Sequence, residues 1–258
     1  MQESIFLFYG LLFLVAFLYA SVGHGGASGY LALMAIFSIA PEVIKPTALL
    51  LNLFVSLTSF IQFYRGKHFL WKIFVPLALA SVPMAFLGGM VVVDGYVYKK
   101  MLGFLLLIPV ARFLFFSNTP ANELKKSNTG LSLFIGAAIG FLSGLIGIGG
   151  GIILSPVLLF LKWTDQKQTA AISALFIFVN SLSGLAGQFT KGIQFNSNMI
   201  GNVAIAFTGG LFGAYFGARR FKQTIFKNVL AVVLLVDAFK LVFKVCLRIP
   251  AEKLSTGD

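Results

Sequence analysis

Two glycine-rich stretches decide how this chain folds: Gly23-His-Gly-Gly26 near its beginning and Gly147-Ile-Gly-Gly-Gly151 in its second half. We call them the first and the second glycine break. Each is followed by an apolar segment of only about 13 residues, which as a helix covers roughly 20 Å of a hydrocarbon core about 30 Å thick. The pattern therefore predicts a broken or re-entrant helix at a corresponding place in each half of a membrane protein.

The composition excludes a water-soluble enzyme. Of the 258 residues 58% are hydrophobic and only 11% are charged, and the mean hydropathy is +0.93; soluble proteins carry about 25% charged residues. Twenty basic residues face eight acidic ones, but the bases lie in loops beside apolar runs, where they indicate topology and lipid-phosphate contacts rather than nucleic-acid binding. The single cysteine, Cys246, excludes an internal disulfide and an all-cysteine metal site.

Apolar runs between charges and Gly or Pro residues predict an all-α integral membrane protein with five helical segments in each half. The predicted segments are 4–22, 27–39, 43–64, 70–93 and 97–116, followed by 129–146, 150–161, 167–189, 197–218 and 224–247. This gives an N-terminal membrane repeat (1–116), a linker (117–128), a C-terminal membrane repeat (129–247) and a short polar tail (248–258).

The two halves match each other in sequence. Besides the glycine breaks, Lys45-Pro-Thr-Ala48 matches Lys167-Gln-Thr-Ala170, and Gln62-Phe-Tyr-Arg-Gly66 matches Gln188-Phe-Thr-Lys-Gly192. With a fourth match, of Phe86-Leu-Gly-Gly89 to Leu211-Phe-Gly-Ala214, all offsets fall between 122 and 126 residues. The collinear matches indicate a duplication. Since each half makes an odd number of crossings, the second half is predicted to be inverted relative to the first.

The glycine breaks are the strongest candidates for a binding site. Helices that resume at Ala27 and Ile152 present unpaired N–H groups and the positive end of a helix dipole, which together stabilise an anion. The alternative is that these glycines, like Gly29, Gly140 and Gly144, only let helices pack closely.

The third segment of each half carries most of the polar side chains. Asn52, Ser56 and Ser59 share one helical face, and the counterpart helix contains Asn180 and Ser183. Neutral donors suit a desolvated oxyanion because they bind it without a fixed countercharge, although hydrogen bonds between helices are an equally good explanation for each residue alone. The candidate substrate-binding residues are Gly23, His24, Gly25, Gly26, Ala27, Ser28, Asn52, Ser56, Gly147, Gly149, Gly150, Gly151, Ile152, Asn180 and Ser183.

The acidic residues and histidines limit the kinds of transport and catalysis that the sequence supports. Asp237, with Lys240 at i+3, is the only acid well inside an apolar run, which argues against a cation carrier. His24 is the only central imidazole, so neither a two-histidine metal site nor bis-histidine haem is expected. His24 either contacts the ligand and takes up a proton or lines a gate. No catalytic triad, phosphate loop or dinucleotide fingerprint occurs, so we expect no cofactor and no enzymatic activity.

These features together resemble the sulfite exporter TauE/SafE family of membrane permeases. Gly144-Leu-Ile-Gly-Ile-Gly-Gly-Gly151 followed by Pro156 is similar to the family's motif in the second half, and residues 188–192 resemble the loop after its polar helix. The resemblance covers residues 4–247, while His24, Gly29 and Ala32 depart from the usual pattern in the first half. It implies transport of small sulfur oxyanions and organosulfonates, often as export.

We therefore predict a permease for a small anion, sulfite or an organosulfonate, which works by alternating access around a central site. The alternative is a non-transporting membrane scaffold or assembly factor whose glycines and serines only pack helices. The expected partners are the oxyanion and membrane lipids, with a homo-oligomer left open and no nucleic acid. We expect a multi-pass protein of the cell membrane.

The distribution of bases predicts the orientation. Loops after the third, fifth, seventh and ninth segments hold twelve Lys or Arg residues, and the loops on the other side hold four, apart from four more in or after the last helix. By the positive-inside rule the first set is cytoplasmic and both termini lie outside.

We therefore predict that Arg65→Cys, in a Cys246→Ser background, reacts with an impermeant thiol reagent from the cytoplasmic side only, and Lys191→Cys from the outside only. Labelling of both from one side would contradict the inverted arrangement.

Overall fold

The structure, a computed structural model, describes residues 2–21, 23–37, 39, 41–94, 97–98, 101, 124–192 and 197–219. Within these residues the protein is entirely helical. The helices are α1 (Gln2–Ser21), α2 (Ala27–Ile36), α3 (Pro41–Arg65), α4 (Trp71–Met90), α5 (Thr129–Ile146), α6 (Gly151–Phe160), α7 (Gln166–Phe189) and α8 (Ser197–Arg219). Residues 97, 98 and 101 are also helical.

The eight helices coincide with eight of the ten predicted segments. Five of them are long and apolar enough to cross a membrane, namely α3, α4, α5, α7 and α8. The predicted short segments α2 and α6 have ten residues each, so they reach about 15 Å, half of the hydrocarbon core. Several predictions concern residues outside the described ranges. They are the segment at 224–247, most of the segment at 97–116 and of the linker at 117–128, the tail, and the pair Asp237 and Lys240.

Glycine conformation ends and restarts the helices at both breaks. Gly23 and Gly147, which follow α1 and α5, have φ of +78° and +89°. Gly26 and Gly150, which directly precede α2 and α6, have φ of +92° and +78°. A side chain is strongly disfavoured in this left-handed region, so only glycine adopts it readily. The matched glycines of the two halves thus turn the chain in the same way.

Helix packing places the polar helices at the centre. Helices α3 and α7 pack against each other, and α4 packs against both α5 and α7. In the same way α8 packs against both α1 and α3. Exchanging the two halves turns the two contacts of α4 into the two contacts of α8 and leaves the α3–α7 contact unchanged, as expected of two equivalent halves. The direction of the axis that relates them stays a prediction.

Two glycine stripes bring the outer helices into backbone contact. On α5 every fourth residue from Gly136 to Gly144 is a glycine, and on α8 the same spacing runs from Gly209 to Gly217. The three glycines of α5 lie against the carbonyl oxygens of Leu77, Ser81 and Ala85 on α4, and those of α8 lie against the carbonyl oxygens of Phe13, Phe17 and Ser21 on α1. Small residues at this spacing are typical of close helix packing in membranes. For Gly140 and Gly144 the packing interpretation is therefore confirmed.

The outward faces are apolar. Phe6 on α1, Phe134 on α5 and Ile200 on α8 are exposed over 74%, 73% and 75% of their surfaces. A water-soluble protein rarely leaves so many large apolar side chains uncovered, whereas in a bilayer they contact lipid. The chain is accordingly a multi-pass membrane protein.

We predict that Gly140→Val destabilises the protein, because its side chain would collide with the backbone of Ser81. The cost of such overpacking is about 1–3 kcal/mol, measured as a lower midpoint of thermal unfolding in detergent. Gly10→Val is the matched control, since a Cβ at Gly10 on α1 has nothing within 4 Å. Equal midpoints for the two variants would show that the stripe does not hold α5 on α4.

Candidate functional site

The two glycine breaks meet at the side chain of Asn52 in the middle of α3. A methyl group on Gly25 would lie 2.6 Å from Asn52 Oδ1, and one on Gly149 would lie 2.7 Å from Asn52 Nδ2. Both distances are too short for a real Cβ, so each break approaches Asn52 only because it has no side chain there. The structure thus brings residues from the two halves, 124 positions apart, to one amide group.

Ile177 of α7 completes this junction from the other half. Its Cγ2 would lie 2.9 Å from a methyl group on Gly25 and 2.7 Å from one on Gly149. Asn52 and Ile177 are themselves 125 residues apart, the offset of the sequence repeat. At corresponding sequence positions, the junction is therefore lined by one polar side chain, Asn52, and one apolar side chain, Ile177.

Several buried hydrogen-bonding atoms on α3 and α7 have no partner within the described part of the chain. Asn52 Nδ2 donates to Ser181 Oγ at 3.4 Å, but Asn52 Oδ1 has no partner within the described part of the chain. The same holds for Ser56 Oγ on α3 and Asn180 Oδ1 on α7, and all three side chains are completely buried. Buried polar atoms are nearly always hydrogen-bonded, and leaving one unpaired costs about 1–3 kcal/mol. These three atoms are therefore buried hydrogen-bonding positions that the described residues leave unpaired.

The beginnings of α2 and α6 lie next to these atoms. Gly150 precedes α6 without any side-chain cap, and the first hydrogen bonds of that helix run from the N–H groups of Ile153 and Leu154 to its carbonyl oxygen. The N–H groups at the first turn of a helix have no partner inside the helix. A small anion at the junction would meet such groups from two helix N-termini.

His24 links the first break to the second half of the chain. Its Nε2 lies 2.9 Å from Ser155 Oγ on α6. Ser155 Oγ also lies 2.8 Å from Ser173 Oγ on α7 and donates to the carbonyl oxygen of Gly151 at 2.9 Å. All three side chains are buried, His24 to 5% exposure.

The remaining predicted residues divide between the junction and other contacts. Gly151 and Ile152 begin α6 and are buried, and a methyl group on Gly151 would collide with Ile177. Ser28 Oγ, in the first turn of α2, lies 2.7 Å from Tyr19 Oη. Ser183 is directed elsewhere: its Oγ donates to the carbonyl oxygen of Val82 on α4 at 2.6 Å, so the structure does not bring Ser183 to the breaks.

The sequence marks Ser173 and Ser181 as polar residues of the counterpart helix, but neither they nor Ser155 are among the predicted binding residues. Ser173 and Ser181 lie on the polar helix of the second half, where the polar pattern marks the helix but not the face that meets Asn52 or His24. Ser155 lies one turn after Gly151, in a segment that is otherwise apolar. A polar residue one turn inside the short helix is the signal that could have found it.

The charges around the junction are few. Lys45 on α3 lies beside the second break, with its Cγ 3.0 Å from a Cβ placed on Gly147 and its Nζ donating to the carbonyl oxygen of Val91 at 3.5 Å. Within the described residues no three His, Cys, Asp or Glu side chains come together as a metal-binding group. The centre is built of neutral polar groups.

Comparison with known proteins identifies the family of this chain. The family model described as "Sulfite exporter TauE/SafE" matches residues 8–241. The chain belongs to the TauE/SafE family. A relative in Sinorhizobium fredii, named "Probable membrane transporter protein y4hK", is 36% identical over 235 residues, which are 90% of this chain and 95% of the relative.

Two more distant relatives carry the same kind of name. A probable membrane transporter protein of Methanocaldococcus jannaschii is 29% identical over 76% of this chain and 78% of its own length. The probable membrane transporter protein YunE of Bacillus subtilis is 24% identical over 80% and 82%. No solved structure gives a significant match. The TauE/SafE family is one of membrane transporters, so the resemblance found in the sequence is confirmed.

We predict that Gly149→Ala costs more stability than Gly192→Ala. Both residues have positive φ, +71° and +78°, so both substitutions strain the backbone alike. Only at Gly149 does the new methyl group also displace Asn52 and Ile177, whereas nothing lies within 4 Å at Gly192. The difference between the two variants in free energy of unfolding should be about 1–3 kcal/mol; equal losses would mean that Asn52 does not rest on the second break.

Proposed function

We propose that this TauE/SafE protein is a permease for a small oxyanion, sulfite or an organosulfonate, and that the anion binds where the two glycine breaks meet Asn52. The observation that carries the proposal is the buried Asn52 amide, which lies against Gly25 and Gly149 from both halves and whose unpaired position becomes a donor when Oδ1 and Nδ2 exchange places. The protein acts by transport and not by catalysis.

The donors suit such an anion. The N–H groups at the beginnings of α2 and α6 supply fixed partial positive charge, and these groups need no reorganisation when the anion arrives. Ser181 Oγ can either donate or accept, so its bond to Asn52 survives a turn of the amide that directs Nδ2 toward Gly25. In that orientation Asn52 adds a side-chain donor to the backbone donors.

Neutral donors also suit transport. An anion held by a buried Lys or Arg would be bound tightly and released slowly, whereas conduction and transport need a site that the substrate leaves readily. Because hydrogen bonds replace only part of the hydration shell, a site of this kind favours small, singly charged oxyanions over strongly hydrated divalent ones.

Alternating access would follow from the repeat. The two short helices come from opposite halves and each covers about half of the core, so in an inverted arrangement they would extend from the breaks at Asn52 toward opposite sides of the membrane. Movement of one half against the other around Asn52 would open the site first to one side and then to the other. The location in the cell membrane with both termini outside belongs to this proposal.

The test is anion flux into proteoliposomes that contain the purified protein. Methanesulfonate and hydrogensulfite should enter with saturable kinetics and compete with each other, and sulfate, which stays divalent, should compete poorly. We predict that Asn52→Ala raises the half-saturation concentration about ten- to hundredfold, because it removes a hydrogen bond to a charged group worth about 1.5–3 kcal/mol.

Ser183→Ala is the matched control, since this residue lies on a polar helix but donates to Val82. It should leave the half-saturation concentration unchanged. Proteoliposomes that show no saturable flux of any anion, although the protein is folded, would favour a scaffold or assembly factor instead. Equal effects of Asn52→Ala and Ser183→Ala would place the site elsewhere.

A further inference from the structure

His24 occupies a place where the two halves differ. The residue at the matching position of the second break is Ile148, which is also buried. An imidazole in one break and an aliphatic side chain in the other shows that His24 is not required by the turn itself. Its contacts with Ser155 and Ser173 instead join the first break to α6 and α7 of the other half.

The hydrogens of this network can be counted. Ser155 has one hydroxyl hydrogen and three partners, and the carbonyl oxygen of Gly151 can only accept. All three hydrogen bonds therefore form together only when Ser155 donates to Gly151, Ser173 donates to Ser155, and His24 donates from Nε2. The neutral imidazole with its hydrogen on Nε2 and the imidazolium both meet this condition, so His24 can gain or lose a proton at Nδ1 while every hydrogen bond at Ser155 is kept.

Few other groups near His24 titrate around neutral pH. The elements next to it are α1, which accepts its backbone N–H at the Tyr19 carbonyl, then α2, α6 and α7. The titratable and charged residues on these helices are Glu3, Tyr9, Tyr19, Tyr30 and Lys167. Those on α3, which contacts the flanking Gly23 and Gly25, are Glu42, Lys45, Tyr64 and Arg65. Tyr19 Oη is paired with Ser28, Lys167 lies six residues before Ser173, and α6 has no titratable residue. Histidine is the side chain whose charge ordinarily changes between pH 5 and 8.

We propose that His24 binds a proton together with the transported anion, so that the permease moves an anion and a proton in the same direction. This inference rests on the proposed function. Protonated His24 adds one positive charge next to Gly25, at the edge of a junction otherwise formed by neutral groups, and so favours the anion. By reciprocity the bound anion favours the protonated imidazole. The pair crosses as a neutral unit when the anion carries one charge.

The experiment uses methanesulfonate, whose charge does not change over the pH range, and proteoliposomes that enclose a pH-sensitive dye. An inward methanesulfonate gradient should acidify the interior of wild-type vesicles, and a potassium-valinomycin clamp should leave the rate unchanged. The half-saturation concentration should rise with pH above the titration of the histidine, by up to about tenfold per pH unit for one linked proton.

His24→Gln separates titration from packing, because its amide can still donate to Ser155 but takes up no proton. It should abolish the acidification and flatten the pH profile while saturable flux persists. His68→Gln, in the loop after α3, is the matched control and should behave as the wild type.

Three results would overturn the inference. The first is methanesulfonate flux in the wild type without proton movement, a result that needs no variant and leaves the proposed function intact. The second is a pH profile that stays the same in His24→Gln. The third is the absence of any saturable anion flux in the folded wild type, which would remove the proposed function as well.

Discussion

The structure depends on the absence of a side chain at two positions, Gly25 and Gly149. Each lies within a methyl group's distance of Asn52, and both also touch Ile177. A Cβ at either position would separate a break from α3 or α7, and the polar helices that form the centre of the fold would lose their close packing with the breaks. The same contact that closes the fold also brings two helix N-termini to one amide group.

The stripe glycines of α5 and α8 pack helices against each other. These glycines face backbone carbonyl oxygens of α4 and α1, and no polar side-chain atom is among the nearest neighbours of a Cβ placed on them. Helix association in a membrane gains little from hydrophobic burial, so close packing of this kind is what holds the outer helices. The packing alternative therefore applies to these glycines, whereas Gly25 and Gly149 approach the Asn52 amide, where we propose that the anion binds.

Much of the fold could be predicted from the sequence, because glycine, proline and charge interrupt apolar runs at the places where helices end. The orientation of side chains could not be predicted to the same extent. Lipid and protein interior are both apolar, so a membrane helix such as α7 shows no polar face toward its surroundings that would reveal which side is buried. Ser181 and Ser183 are two residues apart, about 200° around the helix, and only the structure shows that one meets Asn52 and the other Val82.

The contact of His24 with Ser155 was hidden for another reason: it joins residues 131 positions apart in different halves. Repeat matching compares equivalent positions, and neither partner has a polar equivalent, since Ile148 replaces the histidine and Leu31 lies 124 residues before the serine. Features of this kind arise where a duplicated pair has ceased to be symmetric. A symmetric pair of histidines would place two charges at one small site, where they repel each other. A single histidine, matched by an isoleucine in the other half, would add at most one charge, which suits the singly charged anion that we propose.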